Sequence, residues 1–196
     1  MIKELYPAFQ HWSAKGSVYL ISDTHFDDLA VKKHRSHGPT PMQTMAFIAS
    51  KVHKNDTLIH LGDVGNPEYF INAWKPGKRP HLVLITGNHD TRLTLLRSIF
   101  DEVYTGPLFI APKLVLSHEP LYISPMCFFN MHGHLHSDPF HLDEFHLNLA
   151  AAEKALALHK LDTFIKNGLF SNIPKQHRHT INRAAARKKK QTLKKH

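Results

Sequence analysis

The chain of 196 residues is poor in cysteine: its single copy, Cys127, cannot close an internal disulfide, which agrees with a reducing compartment. Long apolar runs are missing too. No stretch reaches the roughly 18 consecutive apolar residues of a membrane-spanning helix. The opening segment, Met1 to Trp12, has no apolar block of the secretory type. A cytoplasmic chain with no membrane association is therefore expected. Internal repeats of about 20–50 residues, the mark of solenoids and propellers, are absent as well. Hydrophobic residues make up 42% and charged residues 21%, which excludes wholesale disorder and leaves enough apolar side chain for a sizeable core.

Acid is absent from the last stretch. Residues 175–196 carry nine Lys and Arg, including the run Arg187-Lys188-Lys189-Lys190, and no Asp or Glu. The net charge of +9 sits wholly there, because the remainder balances 16 Lys and Arg against 16 acids. Blocks of like charge are usually solvated and often meet polyanions. The expected organisation is a folded part over 1–174, with 1–16 as an N-terminal extension, and a basic, disordered tail over 175–196. That tail either contacts nucleic acid or serves only solubility.

Histidine is present in excess, with 18 copies. Its placement follows the strands. Runs rich in β-branched and apolar residues predict strands at Val18–Ile21, Thr57–Leu61 and His81–Ile85. A polar loop from Asp27 to Pro41 and helices from about Met42 to His53 and Thr91 to Ile99 separate them, with a shorter helix from Glu68 to Ala73. Beyond residue 100, short strands crowd together at Glu102–Tyr104, Leu108–Ala111, Leu114–Ser117, Phe128–His132 and Phe145–Leu149. Such spacing suits antiparallel or mixed pairing. A last short helix, Leu161 to Lys166, closes at Gly168.

In sheets of the βαβ type, ligands gather where strands end at their carboxyl edges. Here five strands end in metal-ligand residue types. The first ends in Asp23-Thr24-His25, the second in Gly62-Asp63, and the third in Gly87-Asn88-His89-Asp90. Ser117-His118 and Gly133-His134-Leu135-His136 follow the two later ones. Asp23 and His25 are two apart on an extended segment, as are His134 and His136, so each pair can share a side. The set holds carboxylates, imidazoles and one amide but no thiolate. It suits Mn²⁺, Fe, Zn²⁺ or Ni²⁺ rather than a structural zinc cage. So many donors exceed one ion's needs, which favours two divalent metal ions, Mn²⁺ first among them, with Asp63 bridging. His60 and His132 fall inside strands and are expected to be hydrogen-bonded core histidines. Asp27 and Asp28 are expected to cap or solvate the following loop, and His34, Arg35 and His37 to line either the substrate mouth or a plain loop.

Taken in order from residue 18 to 149, these motifs resemble the calcineurin-like metallophosphoesterases, in particular their short bacterial and phage-type branch. The resemblance implies an α/β fold, a four-layer α/β/β/α sandwich of two mixed sheets with flanking helices. It implies that Asp23, His25, Asp63 and His136 hold one metal and that Asp63, Asn88, His118 and His134 hold the other. His89 would face the substrate as an acid, supported by Asp90. Two adjacent cations lower the pKa of a bound water towards about 7 and clamp a phosphate. The departing alkoxide still needs a proton, which an imidazole can supply near neutrality. Val64-Gly65-Asn66 follows Asp63 where the Ser/Thr protein phosphatases of the superfamily carry a further Asp-Arg-Gly. Asp90 stands where they carry Glu, so a protein phosphatase is disfavoured. The implied function is hydrolysis of phosphodiesters or small phosphomonoesters, nucleotide or nucleic-acid derived. The alternative is a nucleic-acid-binding accessory protein with a structural or inactive metal site.

Overall fold

The computed structural model describes residues 1–32, 38–121, 128–136, 145–150 and 158–168. Cys127, His34, Arg35, His37 and the basic tail lie outside these residues. Among the described residues, nine strands form two sheets. β1 (Val18–Ile21), β2 (Thr57–His60), β3 (His81–Ile85) and β4 (Glu102–Tyr104) run parallel, and the short β9 (His159–Lys160) pairs antiparallel with β1, giving the order β4-β3-β2-β1-β9. In the second sheet, β5 (Leu108–Ala111) is antiparallel to β6 (Leu114–Leu116), while β7 (Phe129–His132) and β8 (His146–Asn148) continue in parallel. Both sheets are mixed, as the resemblance implies. A bridge between Ser22 and Ala150 joins the end of β1 to the segment after β8.

The first sheet is buried on both faces, which is why its strands read as nearly unbroken apolar runs. One face, with Val18, Leu20, Ile59, Val83 and Ile85, packs on Ile110, Leu114, Leu116 and Met131 of the second sheet. Leu58, Leu82 and Leu84 point the other way, onto α2 (Pro41–Lys51), α3 (Leu93–Ile99) and Phe70. The α2 start is legible in sequence: Thr40 accepts from the Gln43 amide, the Gln43 side chain returns the bond to the Thr40 amide, and Pro41 stands at the first helical position. Two short elements escape the sequence reading. α1 (Leu29–Lys32) sits inside the expected polar loop, and β9 is too brief to show periodicity. α4 (Leu161–Lys166) follows β9 and buries Leu161 in the inter-sheet core. No helix among the described residues is long and apolar enough to cross a membrane.

Register places the site. Ile21 pairs with His60, and His60 with Leu84, so the carboxyl ends of β1, β2 and β3 are level. Asp23, Asp63 and Asn88 lie just beyond these ends and are thereby brought to one edge.

Residues 1–16 are bound into the fold at the opposite edge. A 3-10 helix over Pro7–Ser13 buries Trp12, and Ile2 and Leu5 join the inter-sheet core. Glu102 anchors this segment: its Oε1 accepts from His11 Nε2 at 2.8 Å, Trp12 Nε1 at 2.9 Å and His81 Nε2 at 2.6 Å, and its Oε2 from the Tyr104 hydroxyl. Burial alone would raise the Glu102 carboxyl, but these donors outweigh it and hold it at about 2. The stability it contributes is therefore full above the ordinary carboxylate range and lost as pH falls through about 2. Glu102→Gln is expected to lower the free energy of unfolding by about 2–3 kcal/mol, read by urea denaturation at neutral pH.

Candidate metal centre

The loops after the level strand ends are strained in a telling pattern. Among the described residues, six non-glycine positions have left-handed φ: Asp23 at 55°, His25 at 43°, Asp27 at 57°, Asp63 at 57°, His134 at 67° and His136 at 48°. Such geometry costs energy in residues with a Cβ and collects where function over-determines the backbone. Five of the six are candidate donors. Glycines let the loops close on one another: Gly62, at φ 93°, has no room for a Cβ because the Gly87 amide and His118 Nδ1 stand 2.6 Å from where it would be.

Asp63 lies at the centre. Its Oδ1 accepts from the His89 amide at 2.9 Å. Its Oδ2 is 3.4 Å from His25 Nε2 on one side and 3.3 Å from His118 Nε2 on the other. Burial would raise this carboxyl, yet the hydrogen bond and charge of His118, the His89 amide and His25 hold it at about 2. The effect is mutual: burial would lower His118, but Asp63, then Asp23 and the Leu61 carbonyl, raise it above the ordinary imidazole value.

Two groups of donors flank that oxygen. In one, Asp23 Oδ1 is 3.8 Å from His25 Nε2 and 3.7 Å from His136 Nε2, with the two imidazoles stacked. Both carboxylate oxygens of Asp23 accept from the His134 amide, which fixes their aim. In the other, Asn88 Oδ1 is 2.9 Å from His118 Nε2 and 3.1 Å from His134 Nδ1, and those nitrogens are 3.2 Å apart. A tetrahedral ion with donors at about 2.1 Å spaces its neighbouring donors about 3.4 Å apart, so both groups have the dimensions of a cation site. The donor chemistry agrees. His118 Nδ1 donates to the Leu61 carbonyl at 2.8 Å, which turns Nε2 towards Asp63 and Asn88.

The family model for the calcineurin-like phosphoesterases aligns with residues 16–187. The chain belongs to the calcineurin-like phosphoesterase family. It is thereby a metal-dependent phosphoesterase in type, and the His and Asp groups above are its candidates for divalent metal. Among solved structures, a protein of unknown function from Aquifex aeolicus shares the fold at 23% identity and a TM-score of 0.61, covering 77% of this chain and 98% of its own. The Pseudomonas putida nuclease MPE aligns at 20% identity and a TM-score of 0.44 over 64% of each chain. No curated protein matches.

Two expectations need revision against the geometry. The Asp90 carboxylate is bonded to backbone amides and not to the His89 ring. Its Oδ2 accepts from the Asp63 and Gly87 amides at 2.8 and 2.9 Å, and its Oδ1 from the Val64 amide at 2.9 Å, so its carboxylate clamps the β2 loop to the β3 loop. Burial nonetheless raises it above the ordinary range. The carboxylate beside His89 is Asp28, whose Oδ2 lies 3.0 Å from His89 Nδ1. Sequence reasoning left Asp28 to the loop; its spacing three residues after His25, across a turn, is the signal that could have found it. His60 and His132 are the buried, hydrogen-bonded histidines expected. His60 Nε2 bonds the Thr24 hydroxyl at 2.9 Å and His132 Nδ1 the Gly133 carbonyl at 2.8 Å, and burial lowers them to about 3 and about 4.

Proposed function

We propose that the chain is a dinuclear phosphoesterase that cleaves phosphodiesters or small phosphomonoesters of nucleotide or nucleic-acid origin. The observation that carries the reading is Asp63 Oδ2, nearly equidistant from the two donor groups at 3.4 and 3.3 Å. Asp23, His25 and His136 would complete one ion's shell, and Asn88, His118 and His134 the other's. When bound, the two cations supply Lewis acidity that activates water and offsets phosphate charge. Manganese is the ion assigned first, on a donor set of nitrogen and oxygen alone.

His89 carries the acid role. Its amide is pinned to Asp63 Oδ1, its ring is turned by Asp28, and its side chain is 39% exposed where a substrate can approach. Asp90 acts on the protein side, holding the loops that carry Asp63 and Asn88 at a fixed separation. The deciding experiment is hydrolysis of a chromogenic phosphodiester with added Mn²⁺, against Asp63→Ala as control. Hydrolysis by the wild type alone supports the reading. No hydrolysis with any divalent metal, together with salt-dependent binding of DNA or RNA, makes the chain an accessory binding protein instead.

The catalytic domain is assigned to 1–174 and the basic tail, 175–196, to a polyanion tether. Deleting the tail after Pro174 is expected to leave turnover of a small chromogenic diester unchanged. Binding of a long nucleic acid should weaken, and its dependence on salt should become shallower, because each lost cation releases fewer counterions. Titrations at several salt concentrations check this; equal slopes for the two forms would remove the tether.

A further inference from the structure

We infer that Asp28 is a positioning residue: one carboxylate oxygen fixes the proton donor His89 and the metal-facing His25 together. The inference rests on the dinuclear reading above and adds to it the residue that aims the acid. Asp28 Oδ2 lies 3.1 Å from His25 Nδ1 and 3.0 Å from His89 Nδ1. The two imidazoles meet edge to face, with centroids 5.0 Å apart. An oxygen with two lone pairs serves two N–H donors, so both rings carry hydrogen on Nδ1. Each ring then offers Nε2 inward. For His25 that atom faces Asp63 Oδ2 at 3.4 Å, where a lone pair is useful to a cation. For His89 it is the nitrogen left to meet a leaving group.

Asp28 is itself held by the chain. Its amide donates to the His25 carbonyl at 3.1 Å across a turn whose strained residue is Asp27 at φ 57°. That turn is tied to the β2 loop, since the Phe26 amide donates to the Val64 carbonyl and the Asn66 amide to the Phe26 carbonyl. The carboxylate is 16% exposed and the His25 ring 1% exposed, so little water competes for the shared oxygen. In the cleavage step, a hydroxide oxygen bonds to phosphorus as the bond to the leaving oxygen breaks. The leaving oxygen takes the proton from His89 Nε2, while the Nδ1 proton stays with His89, hydrogen-bonded to Asp28.

The test uses the full chain at saturating Mn²⁺ and two thymidine phosphodiesters. One expels p-nitrophenolate, which leaves without a proton; the other is a dinucleotide, whose alkoxide needs one. Asp28→Ala and His89→Ala are expected to lose less than about tenfold on the nitrophenyl ester and about 10²-fold or more on the dinucleotide. The dinucleotide-to-nitrophenyl ratio of the double variant should fall no further than that of His89→Ala alone, since the two act as a unit in proton donation. Asp28→Asn, which keeps an accepting oxygen, should recover part of the loss. Equal losses on both esters, or an additive loss of that ratio in the double variant, overturn the inference. A second readout is independent of turnover: long-range ¹⁵N–¹H spectra of the metal-free protein should show His25 and His89 protonated at Nδ1, and Asp28→Ala should shift both towards protonation at Nε2. If the wild type cleaves neither ester, the functional reading fails and the spectra decide alone. Unshifted rings then overturn the role of Asp28.

Discussion

Asp63→Ala is expected to lose at least about 10³-fold in phosphodiester hydrolysis and to retain less metal after dialysis than the wild type. Both readouts are needed, because they separate two origins of the loss. The carboxylate stands between the donor groups, so its removal takes an anionic oxygen from each at once. It also frees the His89 amide, which donates to Asp63 Oδ1, and so loosens the backbone of the acid. Asp63 holds left-handed φ, and alanine in that geometry is no better placed than aspartate. Thermal stability of the metal-free variant therefore reports whether the loop still closes. A folded variant with normal metal content and normal turnover would remove Asp63 from the bridging position. Asp63→Asn refines the test, since it keeps the shape and deletes the charge.

The sequence made the site more legible than its supports. Donors show because strand ends are marked by the change from apolar runs to Asp, Asn and His, and because parallel register brings such ends level. Glycines at 62, 87 and 133 are visible too, though only the structure shows what they make room for, such as the approach of Gly133 to Ser22 and Asp23. Asp90 and Asp28 exchanged expectations for a simple reason. Adjacency in sequence made Asp90 the natural partner of His89, but the two lie on a turn after β3, and the Asp90 carboxylate is taken up by three amides. Asp28 reaches His89 from a different loop, a contact that no local pattern encodes. The same holds at the other edge. Residues 1–16 carry no strong periodicity, and their attachment draws on distant partners: the inter-sheet core that takes Ile2 and Leu5, and Glu102, which collects donors from three elements. In the fold, the apolar strands β1, β2 and β3 and the capped α2 were plain. α1 and β9 are four and two residues long, too short to show a period in the sequence.

His89→Ala is expected to part proton donation from metal holding. The side chain is not among the donors flanking Asp63 Oδ2; its ring faces Asp28 and its amide alone serves Asp63. Metal content after dialysis should therefore stay within error of the wild type, while turnover of an ester with a poor leaving group falls by about 10²–10⁴-fold. Asn88→Ala is the counterpart. Its amide oxygen sits between His118 Nε2 and His134 Nδ1 at 2.9 and 3.1 Å, so its loss should lower metal content first and turnover as a consequence. Raising Mn²⁺ should then restore part of the activity of Asn88→Ala and none of that of His89→Ala. Neighbours in sequence, the two residues answer differently because one turns its side chain to the donor cluster and the other to the substrate side. If His89→Ala loses metal as readily as Asn88→Ala, the imidazole is a ligand and the proton must come from elsewhere.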